Sequence, residues 1–348
     1  MKVLIVCRDN GVNPFVRTLV DAIKKNGVDI TCSPKSFWDN WNDFDIIHFQ
    51  WPVELLLFSD NIDIISNQFK LVKNAGKKIV TTCHNLHPHY IKDKLQNDIY
   101  DVLYNNSDVI IHMGEYSYNL FKTEYPNSIH KIIPHHIYND LFGTLPSRNA
   151  AIEYLKLKKD HRYILCFGAF RSSEETELVE KVANYVATQD YKVLTPLIYK
   201  YNKRRNVFLF LKDYIGYLLM RRKHPNFLFS GKPVPDKDIP FYYAAADVAL
   251  IHRKEILNSG NLPMAFMMGK VVVGPAIGNV GAILNETKNP TFDPLDINDI
   301  FHAIDKGLLL SHGDLGNKNK EYAYSEWSSE KIGNQYYSIY LEIQNETK

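Results

Sequence analysis

Short apolar runs alternate with helical patterns along this chain, and the alternation occurs twice in series. The first series has apolar runs at residues 3–7, at Ile30, and at 45–49, 78–82 and 108–112, and the second has them at 163–168, 191–194, 226–230, 247–251 and 270–274. This order indicates parallel strands joined by crossover helices. A chain of 348 residues is longer than one hydrophobic core usually supports. We therefore predict an α/β fold with two parallel sheets in two domains.

The segment after the first apolar run predicts a helix in some detail. Pro14 suits a first helical turn, apolar residues recur at helical spacing from Phe15, and Gly27 can end the helix. The N-terminus of this helix faces the carboxyl edge of the sheet, where ligands of open α/β sheets bind. Gly11 and Asn13, in the loop before the helix, are therefore predicted to contact a ligand.

Composition narrows the class of function. The formal net charge of +2 is too small to indicate nucleic-acid binding, so no nucleic-acid partner is expected. The four cysteines lack the spacing of metal or redox sites. The sequence has no uncharged apolar stretch long enough to span a bilayer. Met1 leads directly into a strand-like apolar run, so no secretory signal is expected. We expect a cytoplasmic protein.

A small polar turn precedes an apolar helix and a buried strand in the second half of the chain. The turn consists of Asn258, Ser259, Gly260 and Asn261. Backbone N–H groups at a helix N-terminus are unpaired and the helix dipole favours anions there, so the turn is predicted to bind a diphosphate. A helix cap explains the same residues without a ligand, and the two interpretations stay open here.

Two further strand ends point to anion chemistry. Residues 274–281 form a second glycine-rich turn that contains Asn279, and Arg171 follows the strand at 163–168. The planar fork of an arginine suits phosphate oxygens, although a surface salt bridge is the alternative. The carboxyl ends of parallel strands meet at one edge of a sheet, so these residues are expected to share a site.

On these motifs, nearly the whole chain resembles the GT4-like glycosyltransferases of the GT-B superfamily. Residues 167–171 resemble the start of the family's donor lobe, 226–234 its base-binding turn, and 259–273 its diphosphate loop with the following strand. Residues 327–336 resemble the final helix that crosses back to the first lobe. The resemblance implies a GT-B fold, with two Rossmann-like domains facing across a cleft and a C-terminal helix crossing back to the N-terminal domain.

The resemblance also divides the chain. It implies an acceptor-binding Rossmann-like domain at residues 1–147 with a crossing helix at 327–348, and a nucleotide-sugar-binding Rossmann-like domain at 148–326. The polar segment at 143–149 contains a proline and is the candidate linker.

A hexosyltransferase is the activity that the resemblance implies. The enzyme would move a sugar from a nucleotide diphosphate sugar, with UDP favoured over GDP, to a glycan or lipid-linked saccharide in surface-polysaccharide synthesis. It would need no metal and no other cofactor. In this scheme Arg171, residues 258–261 and Asn279 bind the diphosphate, and Gly231 and Lys232 border the base.

The chain departs from the family's pattern at four positions of the donor lobe. The paired glutamates of the family fall on Ile256 and Met264. The lysine that follows the phosphate arginine falls on Glu174, and the glutamate after the second glycine-rich turn falls on Gly281. Glu255 is the nearby candidate to replace a glutamate. The missing glutamates favour an alternative, a non-catalytic sugar-nucleotide or polysaccharide-binding module. A GT-B-like phosphorylase or epimerase is the other alternative.

Histidines that follow strands are the candidates for chemistry in the first half. Residues 81–84 resemble the family's strand-Thr-x-His motif, whose histidine approaches the donor sugar, so His84 is the first candidate. Imidazole can transfer a proton near neutral pH or hold a sugar hydroxyl, and the sequence does not separate these roles. Glu115, after another strand, is the alternative base.

The remaining candidates on the acceptor side are aromatic. They are His48, Trp51, His87 and His89. Both His48 and His84 are expected to reach the cleft. The grouping of His84, His87 and His89 with the later His135 and His136 also suits zinc, but no cysteine or acidic ligand completes a recognisable spacing, so no metal site is predicted. For any one of these histidines a structural role remains open.

Residues 203–224 have basic clusters on either side of an apolar, aromatic centre. Such a segment can lie in an anionic membrane surface near a lipid-linked acceptor, and a core-packed helix with charged ends is the alternative. Peripheral contact through this segment would place the protein at the inner face of the cytoplasmic membrane.

Overall fold

The computed structural model describes residues 1–8, 13–87, 94–197, 207–228 and 234–345. The chain forms two compact units, unit 1 with Met1–Leu141 and Glu326–Lys348, and unit 2 with Phe142–Ser325. Four predicted site residues lie outside the described residues. They are Gly11, His89, Gly231 and Lys232.

Unit 1 is built on a six-stranded sheet in which all neighbouring strands are parallel. The strand order is β2-β1-β3-β4-β5-β6. The strands are β1 Lys2–Val6, β2 Asp29–Cys32, β3 Ile46–Phe49, β4 Lys78–Cys83, β5 Val109–His112 and β6 Ile129–Ile132. The helices are α1 Pro14–Lys24, α2 Ser36–Asp39, α3 Ile62–Asn74, α4 Lys94–Asn106, α5 Glu115–Glu124, α6 Asn139–Phe142 and the C-terminal helix α15 Ser329–Asn345.

Both faces of this sheet are covered. In β1, Val3 and Ile5 pack into the core formed with α1 and α15, and Leu4 and Val6 pack into the core on the other face. The alternation follows from the two-residue period of a strand. It explains why the strands read as continuous apolar runs, which is typical of parallel sheets.

The helix predicted after β1 begins at Pro14, as expected. The Asn13 side chain accepts a hydrogen bond of 3.0 Å from the Phe15 amide and caps this helix. Gly27 has a φ of +77°, a conformation that favours glycine where a helix ends. The C-terminal helix α15 packs against α1 at Gly333, where an added Cβ would lie 2.8 Å from the Ala22 carbonyl carbon.

Unit 2 is built on a second six-stranded parallel sheet, in the order β12-β11-β10-β7-β8-β9. The strands are β7 Arg162–Leu165, β8 Tyr191–Leu194, β9 Phe227–Leu228, β10 Val248–Leu250, β11 Val271–Pro275 and β12 Thr291–Phe292. The helices are α7 Arg148–Tyr154, α8 Ser173–Ala187, α9 Val207–Lys223, α10 Ile239–Ala245, α11 Asn261–Met267, α12 Gly278–Glu286, α13 Ile297–Leu310 and α14 Leu315–Glu326.

The predicted fold class, α/β with two parallel sheets, is confirmed. Two short edge strands, β6 and β12, were not predicted. The candidate linker at 143–149 is partly helical, since Ser147 caps α7, which starts at Arg148. Within the described ranges, no helix is long and apolar enough to cross a membrane.

Candidate functional site

The carboxyl edge of the unit 1 sheet brings together Gln50 and several of the residues predicted in the first half. Strands β3, β4 and β5 are neighbours. Gln50 and Trp51 follow β3, His84 follows β4, and Glu115 begins α5 after β5. Because parallel strands end at the same edge, one fold feature brings these residues together.

His84 is half-buried between two aromatic rings. The Trp51 ring stacks on its imidazole with centroids 4.5 Å apart, and the Phe15 ring meets it edge-on at 4.9 Å. Burial lowers the pKa of His84 to about 3, and the nearby imidazole of His136 adds to this effect. The ring is therefore neutral at physiological pH, which suits hydrogen bonding to an uncharged hydroxyl.

A hydrogen-bonded chain leads from His84 into the core through Gln50. The Gln50 Oε1 atom lies 2.9 Å from His84 Nε2, and Gln50 Nε2 lies 3.2 Å from His48 Nε2. An amide oxygen accepts and an amide nitrogen donates. This arrangement places a proton on His84 Nε2 and a lone pair on His48 Nε2, so neutral His84 keeps its own lone pair on Nδ1.

This series of hydrogen bonds continues from His48 to the C-terminal helix α15. His48 Nδ1 lies 2.6 Å from the Tyr340 hydroxyl, and His48 Nε2 lies 2.8 Å from the Thr82 hydroxyl. The Tyr336 hydroxyl in turn lies 3.2 Å from Thr82. With its lone pair on Nε2, His48 donates through Nδ1 to Tyr340. Helix α15 therefore stabilises the residues behind His84.

This geometry changes the role expected for His48. Its side chain is completely buried, and burial lowers its pKa to about 3. The prediction that His48 reaches the cleft and touches an acceptor does not fit this placement, because Gln50, Thr82 and Tyr340 enclose both ring nitrogens. His48 supports His84 from behind.

Two further histidines, His135 and His136, contact the Phe15 ring. The Phe15 ring stacks on His136 at 4.7 Å and meets His135 edge-on at 4.8 Å. His136 Nε2 is 3.0 Å from the Phe15 carbonyl oxygen. Burial lowers the pKa of His136 to about 4 and that of His135 well below its usual value. Both are packing and hydrogen-bonding residues around Phe15.

The other predicted residues of unit 1 lie at the surface. Glu115 and His87 are exposed, and Asn13 is the cap of α1. Among the residues that the structure describes, no group of three or more histidine, cysteine or acidic side chains is placed to hold a metal ion.

Unit 2 has a second polar cluster at the carboxyl edge of its sheet, where β7 and β10 are neighbours. Arg253 follows β10, is buried, and forms an ion pair with the buried carboxylate of Glu175 on α8. Its guanidinium also donates to the Ala169 carbonyl at 2.6 Å. Gly168 leaves room for this contact, because an added Cβ would lie 3.3 Å from the Arg253 guanidinium.

Arg171, the predicted phosphate ligand, lies beside this ion pair. Its amide donates to the Glu175 carboxylate at 2.8 Å. Burial, with smaller contributions from the charges of Arg253 and Arg171, lowers the pKa of His252 to about 3. Arg171 is half-buried, and within the described part of the chain its guanidinium has no hydrogen bond or ion pair.

The polar turn before α11 is tied to the same strand ends. Asn261 donates to the Phe167 carbonyl at 2.6 Å and accepts from the Tyr243 hydroxyl at 3.1 Å. The Asn279 amide donates to the Asn258 side-chain oxygen at 2.8 Å. The hydrogen bond between the Asn279 and Asn258 side chains joins the turn before α12 to the turn before α11. Within the turn before α11, the Asn261 backbone amide donates to the Ser259 hydroxyl at 3.3 Å.

Basic and acidic side chains also meet at the surface of this edge. Lys254 forms an ion pair of 2.8 Å with Glu174, the residue at the family's lysine position. The Lys254 ammonium therefore lies beside Glu174, although Lys254 follows strand β10 and Glu174 lies on α8. Glu255 is exposed and Gly260 is exposed, whereas Asn258 and Ser259 are half-buried.

Sequence reasoning missed Gln50, Arg253 and Glu175 as parts of these clusters. Gln50 lies in the segment after β3 and could have been found by its position two residues after His48. Glu175 and Arg253 are separated by 78 positions, and no local pattern links them.

Comparison with known proteins supports the fold. No family model matches the chain, and no curated protein sequence matches it. Among solved structures, the chain is similar to sucrose-phosphate synthase from Thermosynechococcus elongatus, with a TM-score of 0.75 and 16% identity over 99% of both chains.

Two structures with bound nucleotides are also similar. Anabaena HepE in complex with UDP has a TM-score of 0.68 and 13% identity, over 98% of this chain and 100% of HepE. The catalytic domain of Arabidopsis thaliana starch synthase IV, bound to ADP and acarbose, has a TM-score of 0.67 and 11% identity over 99% of both chains. These neighbours are GT-B glycosyltransferases, and this chain has the GT-B fold.

Proposed function

We propose that this protein is a metal-independent glycosyltransferase. It would transfer a hexosyl group from a nucleotide diphosphate sugar, with UDP favoured, to a glycan or lipid-linked saccharide in surface-polysaccharide synthesis. Its place would be the cytoplasm, at the inner face of the cytoplasmic membrane. The GT-B fold supports a nucleotide-sugar enzyme but does not select the reaction, which is determined by the residues at the two sheet edges.

The half-buried Arg171 is the observation that carries the proposal. Its backbone amide donates to Glu175, the carboxylate that pairs with Arg253. The Arg171 guanidinium has no partner among the described residues, while Arg253 is already bound to Glu175 and Ala169. An arginine without a counter-ion at this sheet edge suits the oxygens of a diphosphate. The complexes of HepE with UDP and of starch synthase IV with ADP agree with a diphosphate ligand.

The site can supply further positive charge. Lys254 is held by the exposed carboxylate of Glu174, and a surface ion pair of this kind is weak enough to rearrange. We assign Lys254 the part that the family's lysine plays, which is to neutralise a second phosphate oxygen. The turns at 258–261 and Asn279 would contribute backbone and amide donors.

The proposed reaction breaks the bond between the anomeric carbon and the diphosphate oxygen and forms one from that carbon to an acceptor hydroxyl oxygen. Negative charge builds up on the leaving diphosphate, and Arg171 and Lys254 would stabilise it in place of a metal ion. Neutral His84 would hold a sugar hydroxyl. Glu115 is the candidate to take the acceptor's proton.

Thermal unfolding with a panel of nucleotides and nucleotide sugars tests the proposal, because a ligand that binds the folded state raises the apparent stability. The panel is measured with EDTA present. Stabilisation by a nucleoside diphosphate and by its sugar conjugate is expected, and it should be lost in Arg171→Ala. A protein that no nucleotide stabilises, or that needs a divalent ion, would contradict the donor site as proposed.

The rate of donor consumption distinguishes a glycosyltransferase from an epimerase and from a binding module. A glycosyltransferase consumes its donor at a rate that depends on a saccharide acceptor. An epimerase converts the donor without an acceptor, and a binding module leaves it unchanged. Donor loss is therefore followed with and without a mixture of saccharide acceptors.

A further inference from the structure

Helix α9, Val207–Lys223, has an unusual exposure pattern: none of its residues is buried. Several of its large apolar side chains are strongly exposed to solvent. Their exposed fractions are 65% for Val207, 45% for Leu211, 54% for Ile215, 42% for Leu218 and 62% for Leu219. A surface helix of a globular protein normally turns such residues towards the core.

These exposed apolar residues lie on the outer side of the helix. The half-buried positions are Phe210, Asp213, Tyr217 and Met220, which recur at intervals of three and four and therefore form one face. Val207, Leu211, Ile215, Leu218 and Leu219 lie around the opposite side. This face contains apolar side chains where a surface helix would have polar ones.

Basic residues border this apolar face. Arg221, Arg222 and Lys223 form the last turn of α9, and Lys212 lies in its middle. Over residues 203–224 the sequence has seven lysines and arginines and one aspartate, so the segment has six net positive charges. The whole chain has a net charge of only +2, so the rest of the protein is net negative. The positive charge is thus concentrated in this stretch of the sequence, and four of its seven basic residues lie on α9 itself.

We propose that α9 is a docking helix that inserts its outer apolar face into the surface of an anionic lipid bilayer. Apolar side chains enter the acyl boundary while lysine and arginine heads stay at the level of the lipid phosphates. Tyr214, which is exposed, suits the same interface, because tyrosine combines an apolar ring with a polar end. The proposal extends the proposed function, since it would bring unit 2 to the surface where a lipid-linked acceptor resides.

The charge distribution favours a bilayer over a second copy of the chain. Two copies that paired through α9 would bring two strongly positive segments together, and like charges repel. An anionic membrane supplies the opposite charge along with the apolar environment. A pairing of copies through this helix is therefore an outcome that the experiment must be able to detect.

Vesicle sedimentation of the full chain tests the proposal, without donor or acceptor. Binding is expected to vesicles of phosphatidylcholine with about 30% phosphatidylglycerol, and it should weaken as salt rises from about 0.05 M to about 0.5 M. Vesicles of phosphatidylcholine alone should bind much less. Ile215→Glu with Leu219→Glu should reduce binding by at least roughly tenfold, because charge would be placed in the acyl boundary.

A matched variant controls for added charge. Leu309 on α13 is 73% exposed in the same unit, so Leu309→Glu should leave vesicle binding unchanged. Reversing Arg221, Arg222 and Lys223 to glutamate should abolish the preference for anionic vesicles. Thermal unfolding confirms that each variant is folded.

Three results would overturn the proposal. They are a wild-type protein that does not bind anionic vesicles, binding that survives the Ile215→Glu and Leu219→Glu changes, and a dimer in sedimentation velocity that the same changes dissociate. Nucleotide-induced stabilisation is measured on the same samples. If it persists while vesicle binding fails, the donor site stands and the docking helix does not.

Discussion

The Gln50 side chain links His84 to His48, with its Oε1 atom 2.9 Å from His84 Nε2. Its amide nitrogen faces His48 Nε2 at 3.2 Å. A glutamine presents an acceptor and a donor at fixed positions, so it determines which nitrogen of each ring carries the proton. The tautomer of His84 is thus set from the core, before any substrate binds.

Gln50→Glu should disturb this arrangement without a large change in shape. A carboxylate next to two imidazoles favours their protonated forms, so the pKa of His84 should rise from its lowered value. If neutral His84 acts in turnover, the acid limb of the pH profile for kcat/KM should move to higher pH. The histidine resonances in NMR spectra provide a second measure.

An unchanged pH profile in folded Gln50→Glu protein would contradict this role of Gln50. Gln189→Glu serves as the control, because Gln189 is exposed, lies two residues beyond the end of α8 and contacts Asp305. This variant should leave the pH profile as it is in the wild type.

Tyr340→Phe should destabilise unit 1. The variant keeps the ring but removes the hydroxyl 2.6 Å from His48 Nδ1, and a buried N–H group without an acceptor costs about 1–3 kcal/mol. Urea unfolding should show that loss. Tyr324→Phe is the matched control, since Tyr324 is 40% exposed and its change should cost less than about 0.5 kcal/mol. Equal stability of Tyr340→Phe and wild type would argue against the hydrogen bond.

Stability should fall as the pH is lowered below about 6.5. The pKa values of His48, His84, His112 and His252 fall from 6.5 in the unfolded chain to about 3 in the fold because of burial. The unfolded state therefore binds protons first. The stabilising contribution is complete above 6.5 and is lost progressively as the pH approaches 3.

Each such histidine contributes at most about 1.4 kcal/mol per pH unit in that window. Urea unfolding at several pH values between 7 and 5 measures the total slope. His112→Gln should make the slope shallower by removing one of these groups. A free energy of unfolding that stays constant from pH 7 to pH 5 would contradict the prediction.

Gly333→Ala should loosen the packing of α15 on α1. An added Cβ would lie 2.7 Å from the Ala22 Cβ and 2.9 Å from its carbonyl oxygen, so backbone must move. Overpacking of this kind costs about 1–3 kcal/mol. Gly216→Ala in α9 is the matched control, because an added Cβ there meets no atom within 4 Å. The control should be stabilised by about 0.5–1 kcal/mol through helix propensity, and a similar gain at Gly333 would refute the predicted clash.

The sequence was sufficient to predict the sheets because their strands are buried on both faces and stand out as apolar runs. The edge strand β6, Ile129–Ile132, was not predicted, since it reads Ile-His-Lys-Ile and has no buried residue. The edge strand β12 has two residues and was too short to recognise. Edge strands lack the double covering that creates the pattern.

Local patterns found the residues that follow strands, such as His84 and Arg171, since a strand end is visible in the sequence. They did not find the partners that determine what these residues do. His48 and Tyr340 are 292 positions apart, and their contact depends on α15 packing on the first unit. Arg253 and Glu175 meet only because β10 lies next to β7.

Arg171 and Arg253 lie in one cluster but should respond differently to substitution. Arg253→Met would leave the buried carboxylate of Glu175 without its partner, and breaking a buried pair in this way costs about 3–5 kcal/mol. Arg171→Met removes a guanidinium that has no ion pair within the described residues, so stability without ligand should change by less than about 0.5 kcal/mol. Stabilisation by a nucleoside diphosphate should be lost in Arg171→Met. Urea unfolding with and without the nucleotide measures both quantities. An Arg171→Met protein that keeps its nucleotide response would show that the free guanidinium is not the phosphate ligand, even if Arg253→Met behaves as expected.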